Sequence, residues 1–184
     1  MRAAASIVIA VVFLAVLALV LFGRTYRIPS ESMEPTVEIN DRVLALKVGD
    51  PGVGDIVIHN PPVEADSGEC AEPPPSGAMC AAPSRDRGNV TFIKRVVAEG
   101  GDRIALRRGR VIRNGRPVDE PFGCREGGTC DFPREITVPR GHLFVLGDNR
   151  GASDDSRFWG PVPEDWVRGR VVARYWPPSR VGGL

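Results

Sequence analysis

Val90-Thr91-Phe92-Ile93-Lys94-Arg95-Val96-Val97-Ala98 is the stretch on which the fold turns. It is rich in β-branched residues. Read as a strand, with side chains alternating between faces, it puts Phe92, Lys94 and Val96 on one side. The alternation is imperfect, because Arg95 also falls between apolar residues. Outward from it, similar short runs recur between turn signals: Arg42–Val48, Asp55–His59, Arg103–Leu106, Arg110–Arg113, Glu135–Val138, His142–Leu146 and Val167–Arg174. Asn114-Gly115 reads as a hairpin turn, since both positions tolerate positive φ. Beyond the first two dozen residues no amphipathic pattern exceeds about two helical turns. The expected fold is mainly β: an antiparallel sheet, folded or partly closed into a barrel, with a smaller hairpin-rich extension over about 103–140.

Composition agrees. Gly 21 and Pro 17 in 184 residues favour turns over long helices. Lys plus Arg number 24 against 23 Asp plus Glu, a net charge of +1, which removes the usual electrostatic case for a nucleic-acid partner. Only Lys47 and Lys94 are lysines, and only His59 and His142 are histidines.

Ala3–Phe22 is uncharged, with Ser6 its one polar residue. As a helix, twenty residues span about 30 Å, the hydrocarbon thickness of a bilayer. A cleavable signal peptide would have an apolar core of ~7–15 residues and an A-x-A-like site. This run is longer and leads into Gly23-Arg24-Thr25-Tyr26, so residues 1–24 are expected to be a retained transmembrane anchor and 25–184 the working domain. Charge does not orient it, because Arg2 at one end faces Arg24 and Arg27 at the other.

Asn60–Gly88 holds nine Gly or Pro in 29 residues, including Pro73-Pro74-Pro75, and reads as a surface insertion between strands. Cys70 and Cys80 lie in it, while Cys124 and Cys130 bracket a turn-like segment. In an oxidising compartment the expected pairs are Cys70–Cys80 and Cys124–Cys130. Zinc is the rival reading, but neither spacing is C-x2-C. The six arginines from Arg103 to Arg116 read as a solvated hairpin face, with anionic lipid as the alternative.

Ser30-Glu31-Ser32-Met33-Glu34-Pro35-Thr36 follows Ile28-Pro29. The two prolines restrict the backbone on either side of Ser32. A serine nucleophile needs a base, and Lys94, His59 and His142 are the candidates. Lys94 has apolar neighbours on its strand face, although a lysine snorkelling from a half-buried strand is the commoner case. No G-x-S-x-G, S-x-x-K or H-E-x-x-H pattern occurs.

Five boxes in order resemble bacterial type I signal peptidase: Ile28-Pro29-Ser30-x-Ser32-Met33-x-Pro35-Thr36, Asp41-Arg42-Val43, Gly54-Asp55-Ile56-Val57, Phe92–Val97 through Gly101-Asp102, and Gly147-Asp148-Asn149-Arg150-x-x-Ser153-x-Asp155-Ser156-Arg157. Glu31, where many relatives carry Gly, and the 60–88 insertion are mild departures. The resemblance implies a membrane-bound serine endopeptidase that removes signal peptides from exported preproteins after small residues. Ser32 would be the nucleophile and Lys94 the general base, with Ser153 orienting the amine and Ser30 joining the Ser32 N–H in an oxyanion hole. Asp148, Arg150, Asp155 and Arg157 would form the scaffold. Ile28, Met33, Val37, Phe92 and Ile93 would line the substrate pockets. It also implies a cytoplasmic amino terminus, an extracytoplasmic catalytic domain, and neither metal nor cofactor.

Those roles make physical demands. A lysine base must be neutral, and bringing its ordinary ~10.4 down to about 8 requires roughly 3–4 kcal/mol of desolvation. A carboxylate touching Lys94 would oppose this, so the acids of Asp148–Asp155 are expected to pair with Arg150 and Arg157. Ten residues separate Phe22 from Ser32, at most about 33–36 Å of chain, which keeps the hydroxyl near the bilayer surface. A tethered β-domain that only binds peptides is the reading from another class. Such a domain would be expected to lack Ser32, Lys94 or Ser153, and all three are present.

Overall fold

The computed structural model describes residues 7, 10, 11, 13, 21–47, 49–124 and 130–184. Most of the expected anchor lies outside the described residues. Ile7, Ala10, Val11, Phe13, Leu21 and Phe22 are helical. Among the described residues no helix is long and apolar enough to cross a membrane. Gly23 and Arg24, the last residues of the expected anchor segment, belong to a strand, β1 (Gly23–Arg27). Its backbone groups pair with β2 (Arg42–Leu46) from Gly23↔Leu46 to Arg27↔Arg42.

The remaining strands are β3 (Ile56–His59), β4 (Phe92–Glu99), β5 (Arg103–Arg107), β6 (Arg110–Arg113), β7 (Arg116–Pro117), β8 (Phe132–Thr137), β9 (His142–Leu146), β10 (Val162–Pro163), β11 (Val167–Trp176) and β12 (Gly182–Gly183). One curled sheet runs β1-β2-β11-β3-β4-β9-β10, with β12 on β11. A second runs β7-β6-β5-β8. Every strand pair is antiparallel. The first sheet is an open path, curled rather than closed.

β3 and β4 run through the middle of that sheet and are apolar on both faces. Ile56, Ile58 and Ile93 pack on one face with Val43, Ala45 and Val171, while Val57 and Val96 pack on the other with Val145, Leu143 and Trp159. A register shift between Val96 and Ala98 breaks the alternation. It lets Val97 and Ala98 join a third cluster with Ile104, Leu106, Val111 and Ile136 of the second sheet. The hairpin-rich extension therefore shares its core with the main sheet.

The Asn60–Gly88 insertion is more than a surface excursion. Ala65 and Met79, each at most 5% exposed, plug two of the three clusters. The Cys80 N–H donates to the Arg157 carbonyl of the short helix α1 (Ser156–Trp159) at 2.9 Å. Gly160, at φ 94°, allows this approach, since a Cβ there would sit 2.4 Å from the Ala82 carbonyl. Cys70–Cys80 and Cys124–Cys130 are both disulfide-bonded, with Cα separations of 5.6 and 5.9 Å.

Candidate active site

Ser32 sits in the turn that follows β1. The Ile28 N–H donates to Asp41 O and the Val37 N–H to Met33 O, so both ends of the turn are tied. Its position over the sheet is fixed by the segment after β9: the Asn149 N–H donates to Ser32 O at 3.1 Å and its side-chain amide to Glu31 O at 3.2 Å. Thr36 Oγ1 donates to Asp148 at 2.6 Å. Gly147 makes the approach possible, because a Cβ there would lie 2.4 Å from Ser32 O and 2.3 Å from Ser153 Oγ.

Lys94 is the third residue of β4, opposite Val57 of β3. The structure brings it to Ser32 across 62 residues of sequence: Lys94 Nζ donates to Ser32 Oγ at 2.9 Å, with only 4% and 7% of the two residues exposed. Phe92, half-buried on the same strand face, places its ring centroid 5.4 Å from Nζ. Burial lowers the Lys94 pKa from 10.5 to about 8, against the upward pull of Asp155 and Asp154. Desolvation wins because no carboxylate among the described residues forms an ion pair with the amine. In its neutral form such an amine can accept the proton of the hydroxyl it touches.

Asp154, which keeps part of its surface open, is pushed up by burial and by the Asp155 carboxylate, with Lys94 and Arg157 pulling the other way. Ser30 Oγ lies 3.3 Å from Ser32 Oγ. Ser153 Oγ is buried and has no hydrogen-bond partner, so the expected contact with the lysine amine is absent. Ser32 and the Phe92 ring hold the amine instead.

Of the three acids in Asp148–Asp155, the expected ion pairing holds for one. Asp155 pairs with Arg157, at 2.7 Å to Nε and 2.9 Å to NH2. Asp148 instead pairs with Arg95 at 2.7 and 2.8 Å, and Arg150 with Glu120 at 2.6 and 2.8 Å. Arg95 points away from Lys94, as strand alternation requires, and meets Asp148 and the Phe122 ring there. Alternation could have shown that face, but nothing local could have shown its partners.

The expected pocket residues Ile28, Met33, Val37 and Ile93 share one cluster and are 0–6% exposed. Phe92, the fifth residue expected there, is half-buried on the Lys94 face of β4. Of the two histidines, His59 is fully buried between Phe92 and Trp159, and desolvation lowers its pKa to about 4. His142 lies at the start of β9, bonded to Arg140 O. Neither is hydrogen-bonded to Ser32.

A family profile described as signal peptidase, peptidase S26, matches residues 1–176. The chain belongs to this family. Signal peptidase I of Leptolyngbya laminosa is 38% identical over 161 residues, covering 85% of this chain and 70% of that one. Thylakoidal processing peptidase 1 of Arabidopsis thaliana is 42% identical over 159 residues, covering 84% of this chain. The chain spans only 42% of that longer relative. A crystal structure of a signal peptidase I from Enterococcus faecalis V583 overlaps with TM-score 0.44 at 23% identity, covering 67% of this chain and 98% of that one. With so loose an overlap, the fold rests on the strand register described above. The matched residues include the Ser32 turn, β4 and the 147–157 segment together.

Proposed function

We propose that the protein is a membrane-bound serine endopeptidase that cleaves amino-terminal signal peptides from exported preproteins after small residues. Ser32 attacks the scissile carbonyl carbon while neutral Lys94 takes its proton, and the tetrahedral oxyanion is met by the Ser32 N–H and the Ser30 hydroxyl. The lysine ammonium then gives its proton to the leaving amine, and the same base activates the water that hydrolyses the acyl-enzyme ester. Asp155–Arg157 and Arg95–Asp148 hold the two segments that carry the dyad. The uncharged run Ala3–Phe22 supports a bilayer anchor, and the family resemblance is what supports a catalytic domain on the extracytoplasmic side. Ser153 stays outside the mechanism.

One observation carries this reading: the 2.9 Å contact between a buried, ion-pair-free lysine and a buried serine. The test is cleavage of a preprotein by the full chain in detergent or vesicles, alongside Ser32→Ala and Lys94→Ala. Both variants should lose at least about a hundredfold in kcat. Because the base works deprotonated, wild-type kcat/KM should climb with pH and level off above about 8. Full turnover by Lys94→Ala, or a rate insensitive to pH between 6 and 9, would reject the dyad.

A further inference from the structure

A cavity of about 350 Å³ opens beside the end of the uncharged run, and none of its lining residues belongs to the dyad. Four cations reach it from four places in the chain: Arg24 on β1, Lys47 just after β2, Arg87 at the close of the 60–88 insertion and Arg168 on β11. Against them stands one carboxylate, Asp165. This excess of three positive charges sits in a protein whose whole net charge is +1. Among the described residues none of the four cations has an ion-pair partner.

The arrangement is held from inside. Asn60, 2% exposed, donates its amide to the carbonyls of Gly88 and Val90 and accepts from Arg168 Nε at 2.7 Å. One buried side chain thus fixes the end of the insertion that carries Arg87 and leaves the remaining guanidinium N–H groups of Arg168 for a ligand. On the other wall the Lys47 N–H donates to Phe22 O, tying that lysine's backbone to the last apolar residue of the run.

We infer that this cavity binds the phosphate of an anionic phospholipid headgroup, and so seats the catalytic domain on the bilayer. The inference rests on the anchor reading above. Leu21 and Phe22, 58% and 48% exposed, are both part of the cavity wall and the end of the apolar run, which places the cavity at headgroup depth. Arg24 follows two residues later, within about 7 Å along the strand. Tyr26 and Trp166 supply the half-apolar, half-polar rings that suit an interface. The pattern fits a phosphate diester carrying acyl chains better than a free anion, since Leu21 and Phe22 of the apolar run form part of the wall.

The test uses the full chain with two vesicle compositions, phosphatidylcholine alone and phosphatidylcholine with one third phosphatidylglycerol. Retained lipid is read by native mass spectrometry and membrane retention by sedimentation. Wild type should keep phosphatidylglycerol in preference to phosphatidylcholine. Replacing Arg24, Lys47, Arg87 and Arg168 together by Gln should cut that preference at least about tenfold, each cation near an anionic surface being worth roughly fivefold. A charge-matched control, with Gln at the exposed Arg107, Arg108, Arg110 and Arg116, should keep it. Equal loss in the control, or no preference in wild type, overturns the site. Glycerol phosphate displacing the lipid as well as phosphatidylglycerol itself would overturn the headgroup assignment and leave a free-phosphate site. Sedimentation with phosphatidylcholine alone reports on the anchor separately: its absence removes the anchor, and its presence without lipid preference removes only the cavity.

Discussion

Lys94 and Arg157 are both buried cations, 4% and 2% exposed, yet the protein treats them oppositely. The Asp155 carboxylate grips Arg157 by two N–H groups, as Glu120 grips Arg150 on the same segment. Among the described residues Lys94 meets a hydroxyl and a phenyl ring and forms no ion pair. The guanidiniums lie against carboxylates, whereas isolation makes the ammonium the costly form. A lysine suits the isolated place because its pKa can be moved into the working range, while arginine stays charged under all these conditions. The paired segment supplies rigidity and the unpaired strand face supplies a base. The arginines absorb carboxylates that would otherwise raise the Lys94 pKa further.

The sharpest way to break this contrast is Asp155→Asn. It removes the Asp155 charge from beside the buried Arg157 guanidinium and should cost about 3–5 kcal/mol, read by denaturant unfolding. Asp155 is also the largest influence raising the Lys94 pKa. The pH–rate limb of whatever enzyme folds should therefore move to lower pH. Lost stability with an unmoved limb would show that the two regions do not communicate.

Lys94→Met tests the other side. The folded pKa lies below the unfolded one, so the unfolded chain binds more protons between about 8 and 10.5, and wild-type stability rises across that window. Below pH 8 the buried ammonium costs about 3 kcal/mol at most. Methionine, similar in shape and uncharged, should be more stable than wild type at pH 7, with the advantage fading towards pH 10.5. Thermal unfolding across that range checks it, and an inactive variant that is also less stable at pH 7 would mean that the lysine is not dry.

Much of this was legible before the structure. Short β-branched runs located eight of the twelve strands, because period-two alternation survives wherever one face is buried. The strand face bearing Phe92, Lys94 and Val96 followed from the same alternation, whereas four cysteines allow three pairings and the sequence does not choose among them. The strands missed are those without such a pattern. β1 continues directly from an apolar run, and β10 and β12 have two residues each; β7, equally short, follows the Asn114-Gly115 turn expected from the sequence. The second-sheet boundary at a bulge, Met79 as a core plug, and the pairing of Arg95 with Asp148 and of Arg150 with Glu120 depend on contacts between residues distant in sequence. Residue types alone cannot choose between equivalent carboxylates. The resemblance named Ile28, Met33 and Val37 as pocket lining, and the structure buries the three together in one cluster.

The smallest expected effect gives the contrast its baseline. Arg103 and Glu135 form an ion pair at 3.4 Å on the second sheet, with side chains 58% and 34% exposed. Water already solvates both groups, so their attraction is screened and holding two long side chains together costs entropy. Arg103→Ala should therefore change unfolding free energy by less than about 1 kcal/mol, shrink further at high salt and leave preprotein cleavage untouched. The chemistry of the two pairs is the same, a guanidinium on a carboxylate, and only their access to water differs. If Arg103→Ala were as damaging as Asp155→Asn, burial would not be what separates strong from weak charge pairs in this protein. The case for a neutral lysine, which uses the same reasoning about desolvation, would then lose its footing.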